Sequence, residues 1–364
     1  MTIRSRRYEG PRPARPGETR ALLAFLDRIF VRGCPGGMAR EYPPLYGDME
    51  AHRDWSHVMT RDGRIVAHTG IYPLDFVVRG RTVRAGGIGA VATDERHRGK
   101  GLMSALLGYA TAWMRVHGMP LSILWGDRYR YARFGWEGAG TTVGFTLYPA
   151  AASFLKDHDE PVTELKRPAA RVRELHALHR ALPARVERSA TVFPLILSKV
   201  GRRVFAVLRR GRVTAYAITR SWRTGRGRGA GVTWQVEESV CAPAGVVSIF
   251  RALVVRPGTE RVRGELLPEF LAHARGLLNG ADCWSLSARC LGQVKVVDRN
   301  ATLAALGVPA LAGPLRAVRP TPLELPRLLF GPVPLRSQVP AGPARTRLER
   351  VLPLPLFLWP TDHV

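Results

Sequence analysis

The sequence predicts a mixed α/β chain of the α+β kind, in which one domain plan is used twice and a short third unit closes the chain. Three observations predict it. Between residues 56 and 110 a strand meander leads into a tight basic turn and then an apolar helix. Two stretches of that region are echoed, in the same order, between residues 211 and 271. A chain of 364 residues also exceeds an ordinary single domain, so two or three domains are expected.

The elements follow in chain order. ETRALLAFLDRIF, residues 18–30, brings Leu22, Leu23, Leu26, Ile29 and Phe30 near one face of a helix. SHVMTRDGRIVAHTGIYPLDF reads as two strands joined by a turn at Asp62-Gly63, and the chain turns again at Arg79-Gly80. The third strand of this meander carries glycines at 86, 87 and 89. Glycine inside a strand marks a bulge or the close approach of another group. DERHRGKGLMSALL, residues 94–107, crowds charge around Gly99 and Gly101. An apolar helix follows, with Leu102, Met103, Leu106, Leu107 and Ala110 at helical spacing.

Composition bounds the function. The chain is 46% hydrophobic and 23% charged, as a globular protein with a core requires. No apolar run reaches the roughly 18–20 residues of a membrane span, and the N-terminus has no signal-like apolar segment. The four cysteines, Cys34, Cys241, Cys283 and Cys290, are scattered without a C-x-x-C, which fits thiols in a reducing cytoplasm and no zinc frame. Without a signal-like segment, Asn300-Ala301-Thr302 is a sequon on paper only. A net charge of +26 suggests nucleic acid. But only five of the 55 basic residues are lysines, and arginine is spread over the whole chain, so the charge reads as compositional bias. The concentrated exception is SWRTGRGRGAG, within 221–231, which could grip RNA but reads first as a loop between strands.

The turn at 94–101 has the chemistry of an anion site. Backbone N–H groups in the first turn of a helix lack intrahelical partners, and the helix dipole is positive there. Glycines let a ligand approach this backbone, and Arg96, Arg98 and Lys100 add charge, so a phosphate or pyrophosphate is expected. Neither a Walker A loop nor a G-x-G-x-x-G is present.

The spacing Arg96-x-x-Gly99-x-Gly101, between a strand ending in VAT and a helix opening with Leu-Met, resembles the acetyl-CoA signature of the GNAT N-acetyltransferases. The resemblance implies a mainly antiparallel mixed sheet flanked by helices. It implies that Gly89, Ala90 and Val91 face the acetyl and pantetheine of acetyl-CoA, and that His97, Arg98, Gly99, Lys100, Gly101 and Leu102 line its pyrophosphate.

WGDRYRYARFGWEG, residues 125–138, narrows the family. Tyr131-Ala132-Arg133-Phe134-Gly135-Trp136 resembles the Y-x-R-F-G-[YW] segment of the Eis-like acetyltransferases, named for enhanced intracellular survival. The resemblance makes Tyr131 the general acid that protonates the leaving thiolate, and puts Gly126 and Asp127 beside the cofactor. Tyr129 is the rival for that role, and an aromatic anchor for Phe134 and Trp136 is the alternative role for Tyr131.

GRIVAHT (63–69) is echoed by GRVTAYA (211–217), and ERHRGKGLMSALL (95–107) by ERVRGELLPEFL (260–271). The expected partition is a catalytic domain over 1–150, a degenerate second copy over 151–291, and a trimmed third domain over 292–364, which the Eis-like resemblance makes similar to a sterol carrier protein. In the second copy Glu265 and Leu266 stand where Lys100 and Gly101 stand in the first, so no coenzyme A is expected there. The chain ends in LPLPLFLWPTDHV, oddly apolar for a terminus in water. Such a tail either docks in a groove or, as the resemblance implies, carries the α-carboxylate of Val364 into the active site as the base.

The resulting expectation is an acetyl-CoA-dependent N-acetyltransferase acting on a primary amine of a small molecule or peptide. Transfer would be direct, since no cysteine sits in either motif. It would need no metal, and would be cytoplasmic and homo-oligomeric. The alternatives are a coenzyme A-binding protein without turnover and a nucleic-acid binder using the Arg-Gly loop.

Overall fold

The computed structural model describes residues 8–225, 230–241, 243–268, 270 and 284–364. They form two compact units. The first holds the chain up to Gly140, Gly292–Leu354 and Val364, and the second holds Thr141–Leu291 and Pro355–His363.

The first unit begins with β1 (Glu9–Pro13), followed by α1 (Thr19–Phe30), α2 (Gly37–Glu41) and α3 (Pro43–Tyr46). Strands β2 (Ser56–Arg61), β3 (Arg64–Val78) and β4 (Arg81–Thr93) are the expected antiparallel meander. Both turns fall where the sequence puts them: Asp62 and Gly63 have φ of 50° and 72°, Arg79 and Gly80 of 49° and 76°. Two successive positive φ angles give a hairpin the right-handed twist of its strands. After β4, α4 (Leu102–Val116) crosses over to β5 (Leu121–Leu124), which runs parallel to β4. Helix α4 buries Leu102, Leu106, Leu107, Ala110 and Met114, and the Met114 sulfur packs where a Cβ on Gly86 would be.

The short helix α5 (Arg128–Ala132) and β6 (Glu137–Ala139) follow. The neighbour of β5 is not β6 but β15 (Gly292–Val296), giving the strand order β1-β2-β3-β4-β5-β15-β6.

The second unit repeats this plan. It contains β7 (Thr142–Leu147), β8 (Val162–Leu165), α6 (Val172–Arg180), β9 (Ala184–Val186) and α7 (Val192–Leu197). Next come β10 (Arg202–Arg209), β11 (Arg212–Thr224), β12 (Gly231–Cys241), α8 (Pro243–Val254), β13 (Thr259–Leu266) and β14 (Trp284–Arg289). The order β14-β7-β13-β12-β11-β10-β8 mirrors the first sheet strand for strand, with one parallel pair, β12 and β13, spanned by the helical crossover α8. Phe205, Val207, Ala217, Trp234, Val236 and Ile249 pack in its core.

Three expectations change. The boundary near 150 moves back to Gly140/Thr141, because β7 completes the second sheet beside β13. Residues 292–364 are not a separate domain: β15 is an internal strand of the first sheet, and the helices Arg299–Ala305, Ala312–Val318, Glu324–Phe330 and Pro343–Glu349 belong to the same unit. The second sequence echo is also misaligned. Arg263, Gly264 and Glu265 lie inside β13 and pair with β7, so they are not a strand-to-helix turn. The true counterpart of the basic turn is the junction of β12 and α8, where Cys241 and Pro243 leave a single residue between strand and helix. The second unit thus lacks the loop itself. Of the Arg-Gly run, residues 226–229 lie outside the described residues.

Within the second unit, the chain's last turn is held by an ionic network. Arg188, 3% exposed, donates from Nε to Asp362 at 2.8 Å and from its terminal nitrogens to Glu238 at 3.0 and 2.7 Å and to the Thr361 hydroxyl at 2.8 Å. Lys199 Nζ donates to the Thr361 carbonyl at 2.8 Å.

Candidate active site

The site is built where β4 and β5 part. Their parallel ladder runs from Ala85–Leu121 to Ile88–Leu124 and stops. Beyond it β4 carries an extra residue against β3: His68 faces Ala92 while Gly70 faces Gly89. Ala90 takes a φ of 47°, unusual for a residue with a Cβ, and this bulge re-aims the strand. His68, fully buried, fixes it. Its Nδ1 lies 2.8 Å from the Ala90 carbonyl oxygen, which can only accept, so Nδ1 carries the hydrogen. Nε2 is buried without a partner, and burial outweighs the carbonyl bond and pushes the imidazole down to about 4. Gly89, Ala90 and Val91 therefore present a stretch of β4 that β5 leaves unpaired.

Two cavities meet at this fork and share Val91 and Arg130 as walls. The first, about 690 Å³, is lined by His97, Arg98, Gly99, Lys100, Gly101 and Leu102, with Arg130 and Arg133 from around α5. No carboxylate lines it among the described residues. Gly99 and Gly101 have φ of 72° and 75°, and a Cβ at either would meet nothing within 4 Å. Gly101 is the N-cap of α4, so unbonded amides of a fifteen-residue helix open here. A polyanion fits such walls. Arg96 lines neither cavity. Its amide donates to Asp94 and closes a short 3₁₀ turn.

The second cavity, about 400 Å³, is lined by Gly89, Ala90, Val91, Gly126, Asp127, Tyr131 and Val364, and by Phe30, Val31, Met38, Tyr42 and Tyr46 from α1 to α3. Asp127 caps α5, accepting the Tyr129 amide at 2.9 Å. Tyr131 is 7% exposed, and its ring lies where a Cβ on Gly126 would be, 2.6 Å away. Burial, with Asp127 adding and Arg130 opposing, holds its hydroxyl above the usual phenol range, so it keeps its proton. Tyr129 is 86% exposed and lines neither cavity.

The chain end explains the glycines of β4. A Cβ on Gly87 would come within 2.6 Å of the Val364 side chain, and one on Gly89 within 2.5 Å of its carboxyl carbon. Val364 packs against a cluster with Tyr46 and Tyr72, whose hydroxyls hydrogen-bond to each other.

Residues 11–139 match the acetyltransferase (GNAT) domain. The matched segment spans α1 to α5, the basic turn and the fork. Most of the fold is shared with solved structures. A GCN5-related N-acetyltransferase from Kribbella flavida is 20% identical, with a TM-score of 0.59, covering 82% of this chain and 74% of that one. One from Anabaena variabilis is 16% identical, with a TM-score of 0.61 and the same coverage. Eis1 from Mycobacterium abscessus is 17% identical, with a TM-score of 0.59, covering 82% and 76%. No curated protein sequence matches the chain.

Several lining residues carry no sequence signal of their own. Ile29 and Phe30 read as core positions of α1, yet they are 38% and 45% exposed and line the two cavities, because α1 ends at the cavity mouths. Met38, Tyr42 and Tyr46 come from short helices without periodicity. Arg130 and Arg133 could have been found as the cationic positions of the Tyr131 segment. Among the described residues there is no cluster of metal-ligating side chains, and no helix is long and apolar enough to cross a membrane.

Proposed function

We propose that this chain is an N-acetyltransferase that takes its acetyl group from acetyl-CoA and passes it directly to a primary amine. One observation carries the reading: a chain-terminal carboxylate, a buried phenol and an unpaired strand segment line one cavity, which shares walls with a cationic, carboxylate-free one. The pyrophosphate would lie against the amides of residues 98–101 and against Arg130 and Arg133, and the thioester arm along Gly89–Val91.

The proton traffic then follows. An alkylammonium with a pKa of about 10.4 must lose a proton before it attacks. The α-carboxylate of Val364 accepts it. A free terminal carboxylate, at about 3.3–3.7, is a weak base for this, and here Val364 is partly buried against the cluster that holds Tyr46 and Tyr72. The amine nitrogen bonds to the acetyl carbon, the carbon–sulfur bond breaks, and the Tyr131 hydroxyl gives its proton to the thiolate. The test is release of free thiol from acetyl-CoA with a panel of primary amines, alongside calorimetric binding of coenzyme A. Binding without thiol release from any amine would leave a coenzyme A-binding protein and end this reading.

A further inference from the structure

The side of the second cavity that comes from α1 to α3 carries no charged side chain. Val31, Met38, Tyr42 and Tyr46 form its walls opposite the fork. Among the described residues lining it, the carboxylates are Asp127 and the chain terminus. Asp127 is already engaged as the cap of α5. The terminus is the group proposed to take the reacting nitrogen's proton. A second or third ammonium on the same molecule would find no further carboxylate among the described lining residues and would share the cavity with the Arg130 cation, so it would be left without a counter-charge. The lining rings, in contrast, can receive another: Tyr42 and Tyr46 both border the cavity, and the buried Tyr72 packs against Tyr46. Tyr42 and Tyr46 stand edge to face at 6.4 Å and 77°, and Tyr46 and Tyr72 at 5.9 Å and 75°. A ligand ring can extend such a series.

We propose that the acceptor is a monoamine on an aromatic body, an arylalkylamine, and that polycationic amines are rejected. This rests on the N-acetyltransferase reading. A pocket of about 400 Å³ with a few polar groups at one end suits a small molecule of this kind. Selectivity comes from both sides: apolar contact for the ring, and no partner for extra charge.

The experiment compares kcat/KM for 2-phenylethylamine, n-butylamine, spermidine and an aminoglycoside, each with acetyl-CoA and with hexanoyl-CoA. The aryl amine is expected to exceed butylamine by about 10–200-fold, the span that an apolar pocket gives. Spermidine and the aminoglycoside are expected to be poorer than butylamine. Tyr42→Glu should reverse the order, lowering the aryl amine and raising spermidine with KM for acetyl-CoA unchanged, a gain that misfolding cannot produce. Preference for a polycation in the native enzyme overturns the proposal. So does a rate that follows acyl length and ignores the amine's ring, since the aromatic wall would then belong to the acyl group. If no amine is turned over, the acetyltransferase reading fails on its own. Equilibrium binding of 2-phenylethylamine then decides this one: binding lost in Tyr42→Glu sustains it, and no binding to the native protein ends it.

Discussion

At the scale of single residues, two hydroxyls two positions apart have opposite surroundings. Tyr131 is buried on the cavity wall and Tyr129 stands in solvent. Tyr131→Phe is expected to lower kcat by about 10²–10⁴-fold, the usual worth of a general acid, with KM for acetyl-CoA unchanged. Tyr129→Phe should leave steady-state kinetics as they are. At the chain end, appending two glycines after Val364 keeps every side chain but displaces the carboxylate by several Å, up to about 7 Å if extended. Turnover should fall sharply while circular dichroism stays native. Gly89→Ala tests the same contact from the strand, since its methyl would meet the Val364 carboxyl. An active extended protein would return the proton to water or another side chain.

At the scale of elements, the turn before α4 and the bulge in β4 divide the work. Gly101 caps α4 in a left-handed conformation with open space around it, so Gly101→Glu adds both strain and a carboxylate to a cavity that has none. Calorimetry is expected to show coenzyme A binding lost, with the melting temperature lowered only modestly. The bulge has a pH signature. His68 is neutral in the fold, with its pKa near 4 against 6.5 in the unfolded chain. Between those values the unfolded state binds more protons, so stability falls as pH drops from 6.5 towards 4. A difference of that size is on the order of 3 kcal/mol for this group alone. Urea melts at pH 7 and pH 5 should show the loss, and His68→Gln should shrink the difference. Sensitivity unchanged in the variant would assign the effect elsewhere.

At the scale of the whole molecule, each sheet takes an internal strand from far away in sequence. β15 lies between β5 and β6, although it follows the entire second sheet in the chain, and β7 lies between β13 and β14, although it precedes them. A fragment of residues 1–140 therefore lacks an internal strand and should not give a dispersed amide spectrum on its own. Folding of that fragment to a native-like, cooperative state would show that β15 is dispensable. The last turn depends on Arg188. Burial alone would raise the Glu238 carboxyl, but the Arg188 charge and its two hydrogen bonds hold it well below the usual range. Arg188→Met leaves Glu238 and Asp362 buried without their cation, which is expected to cost about 3–5 kcal/mol in denaturant melts.

What the sequence determined by itself is local. Asp62-Gly63 and Arg79-Gly80 fix two hairpins, because two successive positive φ angles need residues of this kind. Leu102, Leu106 and Ala110 fix a helix by their spacing, and Gly99 and Gly101 mark the place where backbone must stay open. The basic turn within DERHRGKGLM, Tyr131 and the chain end were legible as positions of interest, and they line the two cavities. The tertiary structure alone decided which strands are neighbours. Period and turn type carry no information about a partner over 150 residues away, so β15 read as the start of a third domain, and Arg263-Gly264 read as a turn when it is strand. It also decided one wall of the second cavity. Phe30, Val31, Met38, Tyr42 and Tyr46 come together only because α1 to α3 fold back over the fork. Their apolar or aromatic character was visible in the sequence, but their convergence on one cavity was not, since side chains from separate segments share a cavity through packing and not through spacing.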